Sequence, residues 1–399
     1  MTDYRVLSTP DEFLAAVDAL AAGEGPVAVD AERASGFTYS QRAYLIQVYR
    51  RGAGAFLFDP PAIGRMDALQ DVIGDEEWVL HAASQDLACL REVGLDPTRI
   101  FDTELAARLL GLPKVGLGAV VEDLLGIHLA KEHSAADWST RPLPQSWLVY
   151  AAKDVELLVD LRDRMEEMLI EARKTRIARE EFEATLARQP KAALPDPWRR
   201  LSGMHSLRGL RALAVARELW LARDAFARER DIAPGRLIPD SSIVAVSRNI
   251  PTSLGQLSGR RDFTGRASRG EVDRWWTAIQ RGMTTEDLPS ATRPAVETLP
   301  PPRAWGDRNP PADLRLKSAR AVVIEIAELL SLPVENLLTP ELLRRLAWNP
   351  PEPLTPETVA AELRRGGARA WQVDATSGPL VTAFVEAAQA AEDSTENAS

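Results

Sequence analysis

The sequence predicts an α/β fold: a mixed sheet opening with an antiparallel meander, followed by two small all-α domains. Three observations predict it. Short apolar runs rich in β-branched or aromatic residues crowd the first hundred positions. Three of these runs arrive before the first clear helical pattern, which argues against a pure βαβ succession. Beyond residue 102 the apolar spacing turns helical, and it is interrupted by a stretch of seven prolines between residues 284 and 311.

Taken in order, the strands are Pro26 to Asp30, Tyr44 to Tyr49, Ala55 to Asp59 and Trp78 to His81, with Ile100-Phe101-Asp102 as a fifth. Residues 144–190 read as one or two helices ending at Pro190. A second break, Pro190 to Pro197, separates the sheet from an arginine-rich helical region. The two helical regions look like a weak repeat, with Leu237-Ile238-Pro239-Asp240 matching Leu338-Thr339-Pro340-Glu341. The polar tail from Glu392 to Asn397 is expected to be disordered.

Composition narrows the chemistry. The 399 residues are 45% hydrophobic and 27% charged, with no apolar run long enough for a membrane span and no secretory signal pattern, so a cytoplasmic protein is expected. The lone cysteine, Cys89, forbids an internal disulfide or a cysteine zinc cluster. His81, His128, His133 and His205 lack metal-ligand spacing, so any metal is held by oxygen. The formal net charge of -10 is uneven: -12 over residues 1–197, +6 over 198–290 and -5 over 310–399. An acidic whole excludes a protein that coats nucleic acid, yet the basic segment permits contact with a phosphate backbone.

Four carboxylates stand where carboxylates are costly. In Val27-Ala28-Val29-Asp30-Ala31-Glu32 the strand period of two sends Asp30 and Glu32 to one face, where like charges raise each other's pKa unless a cation lies between them. Solvated edge acids are the plainer alternative. Asp86 begins the stripe Asp86, Cys89, Leu90, Val93, although Ser84 as an N-cap with Asp86 on the helix dipole would explain it too. An acid on that face should find a positive partner. Asp154 shares a face with Leu157, Leu158 and Leu161, and Tyr150 lies one turn earlier; an ion pair to an arginine such as Arg141 is the alternative. With oxygen ligands only, the metal class is Mg²⁺ or Mn²⁺. The set fits two-metal phosphodiester hydrolysis, with Tyr150 orienting the water.

At these residues the chain resembles the ribonuclease D type of 3′→5′ exonuclease, of the family with three Asp and one Glu on a ribonuclease H-like fold. Val29-Asp30-Ala31-Glu32 resembles the first family motif, with Thr38 to Gln47 following as the second strand. His81-Ala82-Ala83-Ser84-Gln85-Asp86-Leu87 resembles the second motif, and Tyr150-Ala151-Ala152-Lys153-Asp154-Val155 the third. Phe101-Asp102-Thr103 and Ala136 to Leu143 also match in type and order, so the likeness spans residues 1 to about 170. The resemblance implies two divalent ions on Asp30, Glu32, Asp86 and Asp154, and a water-orienting role for Tyr150. Val149 stands where the histidine-bearing branch has its histidine, which selects the tyrosine branch. Ala31 replaces the usual threonine, and Arg33 replaces an apolar wedge against the terminal base, with phosphate contact as its alternative use.

The same likeness implies an exonuclease domain at 1–195, a helical HRDC-like domain at 200–288 of the kind shared with RecQ helicases, and a linker at 289–311. A second, diverged HRDC-like copy follows at 312–390, then a disordered tail at 391–399. The expected activity is release of 5′-nucleotides from an RNA with a free 3′ end, tRNA precursors included. Single-stranded DNA as substrate, or a non-catalytic RNA-binding scaffold, are the alternatives. Arg33, Gln47, His81, Trp138, Arg141, Arg260 and Arg261 are candidate substrate contacts, and Lys131 is a further groove residue. Arg266 and Arg269 join Arg260 and Arg261 as a candidate phosphate cluster. His81, His133 and Cys89 read more simply as structural. Trp275-Trp276 offers a stacking platform or, more simply, core. Asp102 rivals the four acids as a ligand, with capping of the following helix as its simpler use.

Overall fold

The computed structural model describes residues 4–129, 135–189, 195–263, 265–292 and 299–396. Lys131 and His133 lie outside the described residues, as does the side chain of Arg266. A six-stranded mixed sheet is built from β1 (Val6–Leu7), β2 (Glu24–Arg33), β3 (Ala43–Arg51), β4 (Gly54–Phe58), β5 (Glu77–Leu80) and β6 (Arg99–Asp102), in the order β1-β4-β3-β2-β5-β6. β3 runs antiparallel to both β2 and β4, while β5 is parallel to β2 and β6. The expected meander is therefore present. Val27, Ala28 and Val29 are fully buried because β2 is central and covered on both faces.

A helix precedes that meander, contrary to expectation. Pro10–Ala21 follows β1 and is opened by a capping box in which Thr9 accepts from the Glu12 amide while Glu12 accepts from that of Thr9. The stretch expected as one or two helices is three: Gln145–Glu156, Leu158–Glu171 and Thr175–Leu186. Arg173, with φ at 57°, is the left-handed residue that ends the second. The first of the three crosses β2, β3 and β4, which sets its inner face over the acids of β2.

Helices Leu210–Arg230, Pro234–Leu237 and Asp240–Arg248 recur a hundred residues later as Pro310–Leu329, Val334–Leu337 and Pro340–Trp348. Ile238 (φ −150°, ψ 120°) and Leu338 (φ −152°, ψ 126°) make the same extended step between helices. Leu237-Ile238-Pro239-Asp240 thus corresponds to Leu337-Leu338-Thr339-Pro340, one residue earlier than the sequence match suggested. Each set has its own core, around Trp275 in the first and around Trp305 and Phe384 in the second. The proline-rich stretch is folded from Leu299 onward: Trp305 is fully buried, donates to the Pro300 carbonyl at 2.7 Å and lies edge-on to Trp348 at 4.8 Å. The last helix, Ala370–Glu396, runs into the segment expected to be disordered. Among the described residues no helix is long and apolar enough to cross a membrane.

Both helical sets dock on the sheet region. Glu181 takes a bidentate Arg369 at 2.6 Å on each oxygen, and Lys174 donates to the carbonyls of Leu109 and Ser331 at 2.5 and 3.1 Å. At the other end, Asp231 accepts from the amide and hydroxyl of Ser40, from Arg42 and from Tyr44, all between 2.7 and 3.2 Å. That carboxylate holds the loop joining β2 to β3.

Candidate active site

Asp30 and Glu32 leave the end of β2 on one face, as the strand period requires. The overlying helix Gln145–Glu156 brings Asp154 to meet them, and carboxylate oxygens of the three lie within 4.8 Å of one another. Among the described residues no lysine or arginine makes an ion pair with any of the three. Burial raises the pKa of each, with the neighbouring acids adding to the rise at Glu32 and Asp154; Asp154 is pushed up to about 7. Tyr150 donates its hydroxyl to Asp154, which lowers that carboxyl, while burial pushes the phenol's own pKa far up.

Asp86 stands at the edge of this cluster. Ser84 is not a cap: Ala82 is left-handed (φ 62°), a tight turn covers Ala83–Gln85, and Asp86 heads the helix Leu87–Glu92 without capping it. Its carboxylate is 3.5 Å from Arg33, the cationic partner expected of an acid on that stripe. Burial first, and then Asp30, push its pKa up to about 8 against the pull of Arg33. All four acids and Tyr150 line one cavity of about 630 Å³, together with Arg33, His81, Gln85 and Glu104.

A close-set group of raised carboxylates in a partly dry cavity is electrostatically incomplete, and a divalent cation would complete it. An all-oxygen donor set suits a hard ion. The residues present therefore fit the divalent ions expected from the sequence.

Several candidate contacts are structural instead. Gln47 is fully buried as the cross-strand neighbour of Asp30, and it is not among the residues that line the cavity. Trp138 is fully buried, with ring centroids 5.2 Å from Trp147 and 6.5 Å from Tyr150, so it props the helix carrying the tyrosine. Arg141 is spent on Asp59 at 2.7 and 2.9 Å and on the Tyr44 carbonyl at 2.7 Å, which also removes it as a partner of Asp154. Arg260 closes its own loop through Asp262 and the carbonyls of Asn249 and Ala245, whereas Arg261 and Arg269 are exposed. Trp275 is core, donating to the Ser268 carbonyl at 3.0 Å.

Asp102 does cap the following helix, through the Leu105 amide, but it also accepts from the amides of Ala82 and Ala83 at 3.0 and 2.9 Å. It therefore fixes the strained turn that leads to Asp86, a role no local pattern announced. Glu104 and the stretch Val115–Leu117 complete the cavity wall and carried no motif.

Comparison with known proteins agrees with this geometry. Residues 4–170 match a 3′-5′ exonuclease family, residues 212–279 the HRDC domain and residues 298–384 a 3′ to 5′ exonuclease C-terminal domain. The third match covers the region expected to be a second HRDC-like copy. The chain is 33% identical over 258 residues to ribonuclease D of Cronobacter turicensis, covering 63% of this chain and 69% of that one. A crystal structure of a protein from Bifidobacterium adolescentis superposes with a TM-score of 0.88 at 38% identity, over 96% of this chain and 97% of that one. Escherichia coli RNase D, described as an exoribonuclease involved in structured RNA processing, superposes at 0.66 with 26% identity, over 91% and 98%.

Proposed function

Because the chain belongs to the ribonuclease D family and is a 3′→5′ exoribonuclease, we propose that it trims structured RNAs with a free 3′ end, tRNA precursors among them, in the cytoplasm. Asp30, Glu32, Asp86 and Asp154 would hold two divalent ions, Mg²⁺ or Mn²⁺. When bound, such ions lower the pKa of the attacking water and offset charge on the leaving oxygen. The chain's own groups do the positioning. Tyr150 donates a hydrogen bond to Asp154 and keeps its proton, so its oxygen lone pairs are left to accept from the water and aim it at the phosphorus. The 2.8 Å bond from Arg141 to the Trp138 carbonyl stiffens the turn before that helix, which keeps Tyr150 in place.

The observation that supports this reading is the convergence of Asp30, Glu32 and Asp154, with no ion pair to any of the three among the described residues. Incubating 5′-labelled and 3′-labelled RNA hairpins bearing single-stranded 3′ tails with Mg²⁺, Mn²⁺ or EDTA tests it. Stepwise shortening of the 5′-labelled strand, early release of labelled nucleotide from the 3′ end and silence in EDTA are expected. Activity in EDTA, or faster hydrolysis of the matched DNA, would overturn it.

A further inference from the structure

One side chain in the cavity has a protonation state dictated by its surroundings. His81 directly follows β5, and its Nδ1 lies 2.9 Å from the Thr103 hydroxyl. A hydroxyl has one proton, and the Leu80 carbonyl, 3.2 Å from Thr103, can only accept it. With the proton placed there, Thr103 accepts from His81 Nδ1–H. The ring is the Nδ1–H tautomer, and Nε2 is left as a lone-pair acceptor. Burial favours the neutral ring, lowering its pKa to about 4 although Glu104 pulls the other way.

The surroundings hold that ring firmly. Thr103 is fully buried, and the adjoining Asp102 anchors Ala82 and Ala83, so the turn beginning at His81 is fixed from two sides. A left-handed alanine costs of order 1 kcal/mol or more and persists here because Asp102 takes both amides. This is a strained, preorganised wall of the same cavity that carries the acids.

An Nε2 lone pair cannot bind a phosphate oxygen, because both are acceptors. It needs a donor. A phosphodiester held at the acids has a ribose on each side, so the wall beside it meets sugar, and the 2′-hydroxyl is the donor that RNA has and DNA lacks. We propose that His81 Nε2 accepts a hydrogen bond from a ribose 2′-hydroxyl near the RNA 3′ end and thereby selects RNA over DNA. This rests on the RNA reading above and adds the residue that enforces it.

The test compares wild type, His81→Leu, His81→Gln and Thr103→Val on RNA and on the same RNA with a single 2′-deoxy substitution at the terminal or penultimate nucleotide. Rates are read in Mn²⁺ and affinities in Ca²⁺ by fluorescence anisotropy. One neutral hydrogen bond predicts that a single deoxy position costs wild type about 3- to 10-fold in kcat/KM and affinity. His81→Leu should lose the same factor on RNA, nothing on the deoxy substrate, and keep its Mn²⁺-induced rise in Tm. His81→Gln, whose Oε1 replaces the acceptor, should recover part of the preference, and Thr103→Val should fall between. Equal losses on both substrates, or a wild type indifferent to every single deoxy position, overturn the proposal. The second outcome needs no variant, so a His81→Leu that fails to fold leaves the test intact. Absence of any hydrolysis by wild type would instead sink the nuclease reading.

Discussion

Where the C-terminal helices meet the sheet domain, Glu181 is only 5% exposed, yet both its oxygens are filled by the fork of Arg369 and one also accepts from the Trp371 indole at 2.8 Å. Asp59 is handled the same way by Arg141, and Asp102 by three backbone amides. In the cavity over β2, Asp30, Glu32 and Asp154 have been brought within 4.8 Å of one another with no paired counterweight among the described residues. The chain therefore has the means to neutralise a buried acid and uses them at every structural position just named. The difference identifies the cavity as the place where neutralisation is left to something that comes and goes.

The hardest blow to that contrast is to remove one cavity charge. Asp30→Asn or Asp154→Asn should lower hydrolysis by about 10³-fold or more, since a carboxylate that would hold the divalent ions is lost. In EDTA the same variants should melt higher than wild type, because a like-charge repulsion disappears. The pH dependence carries the same sign. Asp154 and Asp86 titrate near 7 and 8 in the fold but near 4 when unfolded, so between those values the native state binds more protons. Stability of the metal-free protein must then fall as pH rises from 5 to 8.5, and saturating Mn²⁺ should remove that fall. Melting curves in EDTA across this range check it. A rise with pH would mean that cations of the protein already compensate these acids.

Next in size is the opposite operation on the structural pair. Arg369→Ala strands Glu181 in the junction and should cost about 3–5 kcal/mol of stability in that region, measured by denaturant unfolding or local hydrogen exchange. Replacing both partners, Glu181→Leu with Arg369→Met, should recover part of that loss, the remainder being the Trp371 indole left without its acceptor. Neither change should alter the Mn²⁺-induced rise in Tm. The two regions would then differ in kind: one acid needs a fixed partner, whereas the cavity acids need an exchangeable one.

Much of the cavity was legible in the sequence because its logic is local. A strand period put Asp30 beside Glu32, and a helical period put Tyr150 one turn before Asp154, so each pair declared its shared face. The helix Pro10–Ala21 carries a local signal too, the capping box Thr9-Pro10-Asp11-Glu12, which the strand reading of this region did not take up. What sequence spacing could not supply were partners far along the chain. Arg141 looked like a groove arginine until Asp59, 82 residues away, took it. Gln47 and Trp138 sit within matching motifs, yet burial by neighbouring elements turns both into support. The grip of Asp231 on the β2–β3 loop joins positions about 190 residues apart, and no periodicity reports that. The one-residue slip in the repeat has a similar origin: proline opens Pro340–Trp348 but precedes Asp240–Arg248, so matching prolines misaligns the helices.

The smallest effect concerns Asp86, which lies between the two behaviours because Arg33 reaches it at 3.5 Å. At that length, with Arg33 about a quarter exposed, the pair is loose, worth under about 1 kcal/mol after solvent screening. A structural ion pair such as Arg369 with Glu181 is too well formed for a cation to displace, whereas this one is not. Arg33 then acts as a placeholder that competes with a divalent ion for Asp86. Arg33→Ala should lower Tm in EDTA by a degree or two and reduce the Mn²⁺ concentration for half-maximal hydrolysis by about 3-fold, with KM for RNA nearly unchanged. A raised KM at unchanged Mn²⁺ dependence would assign Arg33 to the RNA backbone instead, and Asp86 would then group with the uncompensated acids rather than between the two sets.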